Sequence, residues 1–196
     1  ADALCDAAAN YSGAALTGIV QSLGTRGNER AVDLLAKLAN GSDATAAAAI
    51  QALGKLATPK AVAALAPLLG KNPLAAPAWL TAVSKIETTD PRQAAQLYAQ
   101  LRGIKENVAA PISLAALRGQ IVTKTPVDLP LWQASIASSD EATVAIALCA
   151  VLDAPAKSKY TKTFAAALAK HPNVQCRLAS LLGVRGDRAA EPLFRF

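Results

Sequence analysis

Acid–base, nucleophilic or metal chemistry in this 196-residue chain would have to be assembled from few groups: the single histidine His171, the cysteines Cys5, Cys149 and Cys176, and the adjacent carboxylates Asp140 and Glu141. Catalysis needs such groups clustered and mutually tuned. His171 instead stands in the turn Lys170-His171-Pro172-Asn173, where a protonated imidazole is favoured by the end of the preceding helix. Asp140-Glu141 heads a helix, and carboxylates suit that partial charge. The cysteines lack metal-ligand spacing, and an odd number cannot close an internal disulfide set. Cys149 and Cys176 are expected about 9 Å out of axial register on neighbouring helices, too far for a bridge. All three read as small buried hydrophobes. Gly24-Thr25-Arg26-Gly27 and Gly183-Val184-Arg185-Gly186 are turns between helices, not the strand-to-helix loops that cradle phosphate. The inventory implies a non-enzyme without cofactor or metal.

What positions these residues is a repeat. Leu23-Gly24 returns as Leu53-Gly54, Val83-Ser84, Leu117-Arg118, Leu148-Cys149 and Leu182-Gly183, at steps of 30, 30, 34, 31 and 34 residues. A period of this size marks stacked supersecondary units. The chain is 53% hydrophobic but only 4% aromatic, with much of the apolar content alanine. Alanine is the best helix former, whereas strands want β-branched and aromatic side chains. The expectation is therefore an all-α solenoid of about six helix-turn-helix units. It forms one domain over 1–196, with a cap at 1–13 and repeats at about 14–41, 42–72, 73–106, 107–139, 140–172 and 173–196.

Local signals fix the boundaries. Gly24 and Gly27 are expected to stop the first helix, and Asp43 to cap the third. Thr58-Pro59 and Thr89-Asp90-Pro91 combine a cap with a proline that loses no hydrogen bond at the first helical position. Pro126 and Pro130 predict a kink or late helix start in the fourth unit. Phe194 and Phe196 make a poor polar cap, so this end is expected to meet a partner or further chain. The richest apolar stretches, Ala44 to Leu53 and Thr143 to Leu152, are half the roughly 20 residues a membrane span needs. The chain opens Ala1-Asp2-Ala3 and holds no methionine. We read a soluble, mature exported protein in preference to a cytoplasmic one, although the unpaired cysteines weigh the other way.

The stretch Leu182-Gly183-Val184-Arg185-Gly186-Asp187-Arg188-Ala189-Ala190-Glu191-Pro192-Leu193 resembles the consensus of short HEAT-like repeats, of the kind also found in phycobilisome lyase subunits. Leu23 to Val32 and Leu53 to Val62 are similar. The tetratricopeptide pattern Trp-x-x-Leu-Gly-x-x-Tyr and the ankyrin Thr-Pro-Leu-His are absent. The resemblance implies a right-handed superhelix, with first helices convex and second helices lining a concave groove that commonly binds proteins. It also raises chromophore handling, but lyase subunits are longer and work in pairs, and no segment beyond the repeats suggests that role.

On the concave side the residues of interest are Asp33, Lys37, Gln96, Tyr98, Gln100, Trp132 and Gln133, with Trp132 and Tyr98 as aromatic anchors; Trp132 equally suits filling the proline-disturbed fourth repeat. The formal charge of +6 concentrates on the edge made by the intra-repeat turns. Arg26, Arg30, Lys60, Arg92, Lys124, Lys157, Lys159, Lys162, Arg185 and Arg188 form this basic rim, with Lys55 and Lys85 beside them. The expected function is a protein-binding scaffold using the concave face. The alternative is polyanion binding, to nucleic acid or an anionic membrane surface, through the rim.

Overall fold

In the computed structural model, which describes residues 2–123, 127–154 and 158–186, every regular element among the described residues is helical. A short α1 (Asp2–Ala8) precedes the first repeat, formed by α2 (Gly13–Arg26) and α3 (Val32–Leu38). Then follow α4 (Ala44–Leu56) with α5 (Pro59–Leu65), α6 (Ala75–Glu87) with α7 (Pro91–Gly103), and α8 (Ala110–Thr123) with α9 (Leu129–Ile136). The fifth repeat is α10 (Glu141–Asp153) with α11 (Ser158–Lys170), and α12 (Gln175–Arg185) opens the sixth. The chain is an all-α solenoid of paired helices. No described helix is long and apolar enough to cross a membrane. Phe194 and Phe196, like Lys124, Lys157 and Arg188, lie outside the described residues.

The caps fall where side-chain acceptors meet the first free amides of each helix. Asp43 accepts from the Ala46 amide at 2.8 Å and Thr58 from Ala61 at 3.2 Å. Asp90 accepts from Gln93 at 3.0 Å and Asp128 from Leu131 at 3.2 Å. Asp128 and Pro130 give α9 its late start, the outcome that two prolines four residues apart demand. At the other end of α2, Gly27 closes the helix at φ 69°, a left-handed conformation without penalty for glycine.

All six anchor positions are interior: Leu23, Leu53, Val83, Leu117, Leu148 and Leu182 are at most 4% exposed. The glycine after the anchor does something other than stop the helix. Gly24 is buried within α2, and a Cβ there would lie 2.7 Å from the Cα of Ala52 on α4. Gly54 repeats the arrangement one unit on, where a Cβ would come 2.6 Å from the carbonyl oxygen of Ala78 on α6. Each glycine is a notch into which the next first helix presses its backbone.

The helices gather into two compact units, Ala1–Ala116 and Leu117–Phe196. The division falls inside α8, with Ala116 in one buried cluster and Leu117 in the other. Its apolar residues Ile112, Leu114, Leu117, Ile121 and Val122 are spread around the helix rather than confined to one face. The notch also ends here: Ser84 replaces the glycine and is exposed, and the next copy carries Arg118, bonded to Asp153 at 2.8 Å. In the first unit α2, α4 and α6 pack in succession, with α3 and α5 alongside one another and α7 on α6. Trp79 is buried there, its indole N–H donating to the Leu97 carbonyl at 3.2 Å. In the second unit α9 packs on α10, and α12 on both α10 and α11.

The cysteines depart from expectation. Cys149 and Cys176 are exposed, and Cys5 is half-buried with the Asn28 side-chain amide 3.6 Å from its sulfur. Each exposed thiol sits on the outward side of a first helix, where a nearby buried leucine, Leu148 or Leu178, takes the inward one.

Two outcomes test this description. Gly54→Ala should destabilise the first unit by about 1–3 kcal/mol through overpacking. Gly18→Ala, where a Cβ meets nothing within 4 Å, should stabilise it by about 0.5–1 kcal/mol. Thermal unfolding of the pair decides between notch and helix propensity. At the start of α10, the Thr143 hydroxyl and amide, at 2.5 and 2.8 Å, hold the Asp140 carboxyl below the ordinary aspartate value of 3.8. Because the folded value is depressed, the cap stabilises fully above that ordinary value and is lost as pH falls through the folded one. Thr143→Val should move the Asp140 carboxyl titration upward, read by NMR.

Candidate functional site

The second unit contains a groove between the second helices of its first two repeats. Its volume is about 490 Å³, and its walls are Gln133 and Ile136 of α9 facing Lys162, Thr163, Ala166, Ala167 and Lys170 of α11, with His171 at the end. Helical periodicity produces this lining. Lys162, Ala166 and Lys170 follow one another at four-residue spacing, as do Thr163, Ala167 and His171, so two adjacent stripes of α11 face the groove. The same two helices also meet through buried rings. Trp132 of α9 and Phe164 of α11 meet with ring centroids 4.6 Å apart and planes tilted by 56°. The Trp132 indole N–H donates to the Ala147 carbonyl at 2.8 Å.

Trp132 is therefore core, not a surface anchor: it is fully buried against Phe164. Tyr98 is likewise 3% exposed, its hydroxyl donating to Glu87 at 2.7 Å and tying α7 back to the end of α6. Both aromatics point inward because they occupy the apolar stripe of their helices. The polar residues expected on the second helices are exposed: Asp33 and Lys37 of α3, Gln96 and Gln100 of α7, and Gln133 of α9. Of these, Gln133 lines the groove and Asp33 accepts an ion pair from Lys60 at 2.7 Å.

The basic rim resolves into separate roles. Arg26, Lys55 and Lys85 come together around a concavity of about 450 Å³ in the first unit, with the backbone of Gly24 to Gly27. Lys85, however, already donates to the Lys55 carbonyl at the end of α4, at 2.6 Å. Arg185 is not a rim residue. Its guanidinium donates to the Val151 and Ala154 carbonyls, at 2.5 and 2.6 Å, where α10 ends, and lies 5.7 Å from the Phe164 ring centre. A cation at a helix C-terminus answers both the unpaired carbonyls and the helix dipole. Arg30 and Arg92 are exposed, Lys162 belongs to the groove, and Lys159 lies in α11. Ile136, Thr163, Ala166, Ala167 and Lys170 were missed by sequence reasoning, and His171 was read only as a turn residue; on α11 the four-residue spacing was the available signal.

Among the described residues no group of three His, Cys, Asp or Glu side chains is placed to hold a metal ion. Stacked helix pairs with an open groove along second helices define a helical-repeat protein. Residues 1–76 match the family model described as HEAT repeats. No curated protein and no solved structure matches the chain. HEAT repeats commonly mediate protein–protein interaction, and proteins built from them are typically non-enzymatic scaffolds.

If Arg185 is structural, Arg185→Met should cost about 1.5–3 kcal/mol, the value of hydrogen bonds from a charged donor. Arg26→Met, at an exposed position, should stay within about 0.5 kcal/mol of the parent. Urea unfolding followed by circular dichroism measures both.

Proposed function

We propose that this protein is a non-enzymatic scaffold that binds a protein partner along its second helices, with the α9–α11 groove as the contact surface. The observation carrying the proposal is the groove itself: an open concavity whose lining mixes the apolar Ile136, Ala166 and Ala167 with polar and basic side chains. Recognition surfaces combine these features, since apolar contact supplies affinity and surrounding polar groups fix orientation.

The polyanion reading has less support. Lys85 and Arg185 are bonded to carbonyls at helix ends, Lys60 to Asp33, and Arg118 to Asp153. Moreover, Arg26, Lys55 and Lys85 gather at the C-terminal ends of α2, α4 and α6, whose partial negative charge opposes an anion.

A photo-crosslinking amino acid placed at Gln133 or Thr163 should capture a discrete protein in native extract. The same group at Ala145 on the first helix α10 should not. Equal capture from both faces, or none from the groove, overturns the proposal.

A further inference from the structure

Resting on that reading, we infer that the occupant of the α9–α11 groove is an acidic amphipathic helix of a protein partner, with carboxylates seven or eight residues apart that meet Lys162 and Lys170. Charge is the first argument. Neither α9, Leu129–Ile136, nor α11, Ser158–Lys170, contains an aspartate or glutamate, and the groove lining includes two lysines and no carboxylate. The second-helix face of the first unit differs: there Lys60 of α5 is neutralised by Asp33 of α3. The groove in the second unit keeps its positive charge for something outside it.

Spacing is the second argument. Lys162 and Lys170 are eight residues apart on one stripe, about 12 Å along the axis at 1.5 Å per residue. A helix lying along α11 presents residues i and i+7 or i+8 at about 10.5–12 Å on one face. Between the two cations the walls are Ile136, Ala166 and Ala167, and the alanines leave room for larger apolar side chains of the incoming helix. An extended peptide fits less well. Its backbone amides and carbonyls need a strand edge to pair with, and both walls are helices whose backbone groups are already bonded internally. A helix satisfies its own backbone and offers only side chains, which is what this groove is built to receive.

The test is selection on the intact chain from a display library of 18-residue helices with a fixed Leu/Ala stripe and randomised flanks. Enriched peptides should carry Asp or Glu pairs seven or eight residues apart. Combined Lys162→Glu and Lys170→Glu should weaken a synthesised winner by about ten-fold or more, whereas Lys105→Glu in the first unit should leave it within about two-fold. A peptide with lysines in place of the acidic pair should regain binding on the reversed variant. Winners without the acidic pair, or affinity unchanged by reversal, overturn the inference. Heparin binding the groove as tightly as the peptide also overturns it and assigns the surface to polyanions. A groove that crosslinks a protein but fails this selection keeps the scaffold and discards the acidic helix; failure of both discards both.

Discussion

The first unit depends on the close approach of successive first helices at glycine. Gly24 against Ala52 and Gly54 against Ala78 bring backbone to backbone at distances no larger side chain permits. An alanine-rich core has little volume to fill a wider gap, so the thin side chains and the short separation require one another. The anchors Leu23 and Leu53 then reach the interior fully, and α3 and α5 are carried alongside each other. Serine and arginine at the corresponding places of the third and fourth copies mark where this mode of packing stops.

Once helix spacing is set, the ends of the helices decide what happens to the charge. Aspartates and a threonine take the N-termini, and cations take the C-termini. A formal excess of positive charge thus looks like a binding stripe when counted along the sequence. In space part of it is internal wiring between neighbouring repeats. Lys85 and Arg185 both reach back from one first helix to the carbonyls that end the preceding one. Lys162 and Lys170 of α11 line an open groove instead.

Helix order, capping and the buried anchors were legible in the sequence because they rest on local rules: propensity, acceptor side chains and a fixed period. Thr58-Pro59 and Asp90-Pro91 announce helix starts without any tertiary information. The aromatics were not legible in the same way. Trp132 and Tyr98 sit on apolar stripes, and only packing distinguishes a ring that fills a core from one offered to a partner. The cysteines failed for the mirror reason, since a small thiol follows whichever stripe the anchor beside it leaves open. Gly24 was assigned to a turn because glycine near a helix end has two uses, and the choice between them depends on the neighbouring helix. The groove itself combines residues from two repeats, although its α11 wall could be traced from spacing alone.

The burial of Trp79 in the first unit and of Trp132 in the second gives each unit a single tryptophan. Tryptophan emission from the native chain is the superposition of two indoles, one hydrogen-bonded to Leu97 and the other to Ala147 beside the Phe164 ring. Replacing either tryptophan by phenylalanine leaves a reporter confined to one unit. The protein thereby carries its own means of resolving whether the two halves melt together or in turn.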